Sequence, residues 1–277
     1  MMMWISAVGM GILLGFLGRV SISLSYYIRK IEDGTECAQC AKQTGCFARK
    51  RMIGMDFLYV DQLTLYAFCR VRSLCPFWTK CGKRESLLYI LSSTILTGIL
   101  FWSKGISMDT ILYSIAVAAL LSLSVVDWNT EYIPLEYNLI ILCCGLIRLF
   151  LDLSNWEEYL IGLIAVSGFL CIVNRISVPV LKRRYADQGI EVDSAIGDGD
   201  IKLMAATGLL LGWKLNFIAL GMGCIAGSVI HLIRMAVCKG DRQFALGPYL
   251  SLGVYLAIVC GRQLVSWYLN MMGLELV

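Results

Sequence analysis

The chain reads as an all-α integral membrane protein, a polytopic bundle of about eight transmembrane helices with a cytoplasmic cysteine-containing loop. Three observations predict that class. Of 277 residues, 58% are hydrophobic and only 16% charged, with a mean hydropathy of +0.72, whereas soluble domains carry about 25% charged residues. Apolar runs of membrane-spanning length recur along the whole chain. The lysines and arginines are concentrated in alternate loops.

A hydrocarbon core of about 30 Å needs roughly 20 apolar residues per helix. On that ruler the spans fall near 4–27, 86–103, 109–126, 135–151, 158–175, 201–212, 214–237 and 245–269. The sixth is short, ended by Gly212 and Trp213, and either stands alone or forms one broken element with the seventh. The first span lacks a basic leading region and a small-residue cleavage site, so it reads as retained. The organisation is a single polytopic domain over 1–277, with a cysteine-rich loop at 30–85 between the first and second spans. Gly11-x-x-x-Gly15 and Gly223-x-x-x-Gly227 are spacings that let helix backbones approach closely.

Loop charge sets the orientation. The first loop holds Arg29, Lys30, Lys42, Arg49, Lys50, Arg51, Arg70, Arg72, Lys80, Lys83 and Arg84. Lys182, Arg183 and Arg184, and then Lys239 and Arg242, fall on the same side; the opposite loops hold only Lys104 and Lys214. The positive-inside rule therefore makes the first loop cytoplasmic and both termini external. Arg19 and Arg262, inside spans, are exceptions to the pattern. The net charge of +4 is confined to these loops and speaks to membrane orientation, not to nucleic acid.

Residue counts exclude several chemistries. With the single histidine His231 there is no HExxH zinc site, no bis-histidine haem and no Glu-x-x-His di-iron centre. Of twelve cysteines, Cys143, Cys144, Cys171, Cys224 and Cys260 sit in apolar runs, where cysteine packs as a small apolar residue. Cys37, Cys40, Cys46, Cys69, Cys75 and Cys81 share the first loop.

Two stretches break the apolar background. Ser124-Val-Val-Asp127-Trp-Asn-Thr-Glu-Tyr-Ile-Pro134 ends the third span, and Gly197-Asp-Gly-Asp200-Ile-Lys-Leu203 opens the sixth. The topology, derived from basic residues alone, places both at the cytoplasmic face. Two carboxylates sharing a poorly solvated site cannot both ionise cheaply, so one keeps a proton. That is the arrangement aspartic proteolysis needs, and Asp127 and Asp200 are its candidate catalytic pair. Such a dyad titrates as a unit, and the sequence assigns neither role to one member. Gly197 and Gly199 lack side chains that would hold a substrate backbone away, and Lys202 either biases ionisation or reaches lipid headgroups. An acid at a helix start is also an ordinary cap, and Asp198 competes with Asp200 within the second stretch.

The strings resemble those of the type IV prepilin peptidases, membrane aspartic proteases of the GxGD kind. Asp127 followed by Ile133-Pro134, Gly197-x-Gly-Asp-x-Lys-Leu203 with Ala205, Ala206 and Gly208 behind it, and Gly247-Pro248-Tyr249-Leu250 match in order. The resemblance implies an endopeptidase that removes the short basic leader of prepilins and pseudopilins at the cytoplasmic face of a bacterial inner membrane. It carries the catalytic pair onto Asp127 and Asp200 and leaves Asp198 at the variable position of GxGD. Many members also N-methylate the new N-terminus with S-adenosylmethionine, and carry two CxxC pairs after the first span. Here the first pair is Cys37-x-x-Cys40, but the second half reads Cys75-x₅-Cys81. Those four thiols are the candidate ligands of a structural zinc; no cofactor is required for proteolysis itself.

Two other classes are compatible with parts of the sequence. A transporter or proton-coupled carrier would use the same membrane aspartates to bind a cation or relay protons, but the two halves show no repeat. A membrane-anchored thiol or metal module would not need eight spans.

Overall fold

The computed structural model describes residues 2–32, 83–185, 193–238 and 245–271. These residues form eight α-helices and one 3₁₀ turn at Leu153–Asn155. The helices are α1 (Met2–Glu32), α2 (Lys83–Lys104), α3 (Met108–Thr130), α4 (Leu135–Leu151), α5 (Trp156–Tyr185), α6 (Asp198–Leu211), α7 (Trp213–Cys238) and α8 (Gly247–Met271). All eight expected elements are present in order, and six are long and apolar enough to cross a membrane. The exceptions are α4, with 17 residues between Pro134 and Asp152, and α6, with 14 between Gly197 and Gly212.

Local chemistry explains the boundaries. Gly105 (φ +72) and Gly212 (φ +80) take the left-handed backbone that turns the chain between α2 and α3 and between α6 and α7. Gly212 thus decides the open division: the sixth and seventh elements are separate helices. The Ser107 side chain caps α3 by accepting from the Thr110 N–H at 3.1 Å. At the other end Glu131 adopts φ 52, and its N–H closes on the Asp127 carbonyl at 2.7 Å. Three residues on, Pro134 opens α4, where its missing N–H costs nothing. The helices α1 and α5 run past the apolar ruler, to Glu32 and Tyr185. In α5 the extension carries Lys182, Arg183 and Arg184 in the last turn, where cations suit the negative end of the helix dipole.

Of the six spanning helices α3 is the most enclosed: 67% of its spanning window is buried, against 17% in α5. Around α3 pack α1, α2, α4 and α8, while α6 fills the space between α4, α5 and α7. Small residues set the closest contacts. A Cβ on Gly11 would lie 2.7 Å from the Thr94 Cα and one on Gly15 3.0 Å from the Ile90 Cα, so the first glycine pair does bring two backbones together. Gly223 does the same against Tyr249 and Leu250, and Gly162 meets the backbone of Gly208 directly.

Helices alternate in direction, so the turns sort onto two ends of the bundle. One end collects Trp4, Trp102, Trp156, Trp213 and Trp267, all exposed, with Trp4 and Trp102 rings 5.3 Å apart. Such a band marks a membrane–water interface. Just inside it Arg148 of α4 is buried against the rings of Tyr113 and Tyr159, at 4.9 and 5.2 Å. It donates to the Leu210 carbonyl, and its Nε lies 3.4 Å from Asp109. The other end gathers the C-terminus of α3 and the starts of α4, α6 and α8, and there the two aspartates lie.

Candidate active site

The last full turn of α3 carries Asp127, and the first turn of α6 carries Asp200. They are only 4% and 8% exposed. Buried carboxylates are rare because desolvation penalises the charge, so each needs an account of its partners. For Asp127 it comes partly from α8: the Gly247 backbone N–H donates to Oδ2 at 3.1 Å. This N–H is available because Gly247 opens the helix, where first-turn amides have no carbonyl to bond. A side chain at 247 would stand in the way, since its Cβ would be 2.6 Å from that oxygen.

Asp200 is held by backbone. Its N–H and that of Ile201 bond the Gly197 carbonyl at 3.1 and 3.3 Å, which closes the first turn of α6. Before it, the N–H groups of Ala195 and Ile196 bond the Asn174 side chain of α5 at 2.8 and 3.1 Å, fixing the approach to the turn. Asp200 Oδ1 has no hydrogen-bond partner among the described residues. Asp200 stands outside the six spanning helices, just ahead of the expected sixth span. Burial first, and the negative charge of Asp127 second, push its carboxyl up to about 7. The two acids are thus close enough for the charge of Asp127 to oppose the ionisation of Asp200.

Ile133 is the packing centre of this end. A Cβ on Gly199 would lie 2.7 Å from the Ile133 Cβ, and one on Gly247 would lie 3.3 Å from the Ile133 Cδ1. One side chain from the α3–α4 turn therefore seats the starts of both α6 and α8, which carry or contact the two aspartates. The two glycines of the GxGD string differ in surroundings. Gly199 faces Ile133, so protein fills the space beside it. Gly197 is exposed, and the position of its absent Cβ is 3.0 Å from Asp200 Oδ2. Asp198 and Lys202 are exposed on α6, away from the buried positions of the pair.

The sequence pointed to the Ile-Pro and Gly-Pro-Tyr strings only through resemblance, and not to what they do here. The Gly247 N–H and the Ile133 side chain are structural partners of the acids that no side-chain chemistry announces. The legible signal was Gly-Pro at the start of the last span, a helix opening with a free N–H.

Cys37, Cys40, Cys75 and Cys81 and most of the 30–85 loop lie outside the described residues. Among the described residues no group of three or more His, Cys, Asp or Glu is placed to hold a metal ion.

A multi-pass helical bundle enclosing a carboxyl pair at one end suits a membrane peptidase as it suits a carrier, and similarity to known proteins decides between them. The sequence signature of the Type IV leader peptidase family matches residues 114–232, from α3 into α7, and takes in both aspartates. The chain belongs to this family. It is 30% identical over 203 residues to the prepilin leader peptidase/N-methyltransferase of Pectobacterium carotovorum subsp. carotovorum, covering 70% of this chain and 67% of that one. The proteins of the same description from Neisseria gonorrhoeae and Legionella pneumophila are 28% and 26% identical, each over 76% of this chain and 71% of theirs. No solved structure matches the chain. Family membership favours the peptidase over the transporter.

Proposed function

We propose that this protein cleaves the basic leader from prepilins or pseudopilins at the cytoplasmic face of a bacterial inner membrane, with Asp127 and Asp200 as its acid–base pair. The observation that carries the reading is the burial of two carboxyls from distant helices at one end of the bundle, with Asp200 pushed up to about 7 by that burial first and by the charge of Asp127 second.

The surroundings favour a division of labour. Asp127 accepts the Gly247 N–H, an interaction with the charged form of a carboxylate. Asp200, buried with an unpartnered oxygen, keeps the proton. Asp127 then takes a proton from water as the water oxygen bonds to the peptide carbon. The acid of Asp200 donates its hydrogen bond to the carbonyl oxygen, which gathers negative charge. When the C–N bond breaks, the amine leaves with the proton held by Asp127. Gly197, open beside Asp200 Oδ2, gives an extended substrate backbone room to lie against the pair.

The charged ends support this orientation. The dyad end also carries the exposed Lys182, Arg183 and Arg184, and α5 runs about 16 Å beyond Asn174, which holds the turn before Asp200. A basic cytoplasmic end suits a substrate whose leader is cytoplasmic and whose next segment is an apolar helix in the bilayer. On the same reading Cys37, Cys40, Cys75 and Cys81 hold a structural zinc. The names of the relatives bring N-methylation with S-adenosylmethionine as a second activity to assay.

The test is leader removal from a co-expressed prepilin, followed as a gel mobility shift at matched membrane levels. Asp127→Asn and Asp200→Asn should each lower cleavage by about 10³-fold or more, and Asp198→Asn should retain it. A wild-type protein that cleaves no prepilin, or dyad variants that cleave normally, would overturn the proposal.

A further inference from the structure

Asn138 of α4 is 4% exposed, and neither end of its carboxamide has a hydrogen-bond partner among the described residues. A buried amide left unpaired is destabilising, so its burial at this depth calls for a partner. Its level along the bundle is fixed by one contact of the α3–α4 turn with α6 and one of α4 with α6. At the dyad end Ile133 meets Gly199; farther along, Gly145 lies against the backbone of Leu209 and Leu210. Both helices run away from the dyad end, so the contact line between these anchors is parallel. Asn138 and Gly145 are seven residues apart and lie within about 20° of the same helix face. With a rise of about 1.5 Å per residue, Asn138 comes level with Leu203, about 4–5 Å below Asp200 along the bundle. Its Cα–Cβ bond tilts toward the start of α4, which is toward the dyad.

Asp200 Oδ1, in the first turn of α6 and about 100° around that helix from Gly199, is a second buried polar atom with no partner among the described residues. No direct hydrogen bond joins the two groups, and an axial offset of about 4–5 Å between neighbouring helices leaves room for a bridging water. A buried water needs two to four polar partners, and the carboxamide oxygen, the carboxamide nitrogen and Asp200 Oδ1 provide three. We propose that Asn138 is a positioning residue of the dyad, holding Asp200 through a water that bridges its carboxamide to Oδ1. With Oδ1 tied from below, Oδ2 stays on the side of Gly197, where substrate would lie. The catalytic consequence rests on the peptidase reading above.

The experiment uses the full-length protein in detergent with a purified prepilin. Leu copies the branched shape of Asn without its polarity. Asn138→Leu and Asn138→Ala should lower kcat by about tenfold or more while KM stays within about twofold, because the variants bind substrate but misplace an acid. Asn138→Ser, which restores one hydroxyl in the same space, should recover at least about threefold of the kcat lost by Asn138→Ala. A loss that falls in KM, a loss that follows only the amount of folded protein, or equal rates for Ser and Ala would overturn the proposal. So would variants with kcat within about twofold of wild type. A wild type that cleaves nothing defeats the peptidase reading, and a double-mutant cycle on Tm then decides the contact. Asn138→Leu and Asp200→Asn must be non-additive; additive shifts overturn it.

Discussion

The Gly247 N–H donates to Oδ2 of Asp127 across 3.1 Å, joining the start of the last helix to the end of the third. The contact spans 120 residues of sequence, and it tolerates no side chain at 247. Gly247→Ala would put a Cβ 2.6 Å from the carboxylate oxygen, so the acid or the helix start must move. The expected result is a fall in prepilin cleavage of about tenfold or more, since displacements near 1 Å cost about 10²-fold at a reacting pair. Steady-state cleavage at matched folded protein checks it.

Gly199→Ala probes the seat beneath the other acid. Its Cβ would meet the Ile133 Cβ at 2.7 Å, and neither backbone nor a branched Cβ can yield cheaply. Overpacking of this kind costs about 1–3 kcal/mol. Thermal unfolding in detergent should register a lower Tm, and cleavage should fall with it because the same shift moves the first turn of α6.

The pH dependence follows from Asp200. Its folded carboxyl titrates near 7, above the ordinary value of 3.8, through burial and then Asp127. Below pH 4 both folded and unfolded states are protonated there, and the group favours neither. Between about 4 and 7 the unfolded state ionises first, so the contribution to stability is lost as pH rises through the folded value. Asp200→Asn should therefore raise Tm at pH 7–8 by roughly 3 °C or more, about what 1 kcal/mol gives at this size, with the gain vanishing near pH 4. Wild-type cleavage should decline on the alkaline side of about pH 7, as the shared proton is lost.

Arg148 stabilises the opposite end. It is buried, donates to the Leu210 carbonyl and lies against two tyrosine rings. Arg148→Met keeps the apolar stem but strands that carbonyl and removes both cation–π contacts, a loss of about 2–4 kcal/mol. Tm should fall substantially, while kcat per folded molecule stays near wild type because the dyad lies at the other end.

Much of the bundle was legible because a membrane imposes its own ruler. A helix that crosses hydrocarbon must be apolar for about 20 residues and must satisfy its own backbone, so composition and length place the spans. The ruler failed where that constraint relaxes. The cationic last turn of α5 is helical beyond the apolar stretch, and α6 is helical although it is too short to cross alone. The glycine pair at 11 and 15 was legible for a related reason, since close helix approach needs small residues at that spacing.

For the site, the sequence by itself determined the chemistry available: two acids in apolar surroundings, one histidine, and loop charges that put both acids at one end. Carboxyl chemistry needs specific side chains, and side chains are written in the chain. Only the tertiary structure decided which neighbours tune them. It gave Asp127 a backbone N–H from Gly247, seated Gly199 on Ile133, and left Asn138 and one oxygen of Asp200 buried without partners. Every residue but proline has a backbone N–H, and apolar packing partners are interchangeable in pattern. Their roles exist only where distant helices meet.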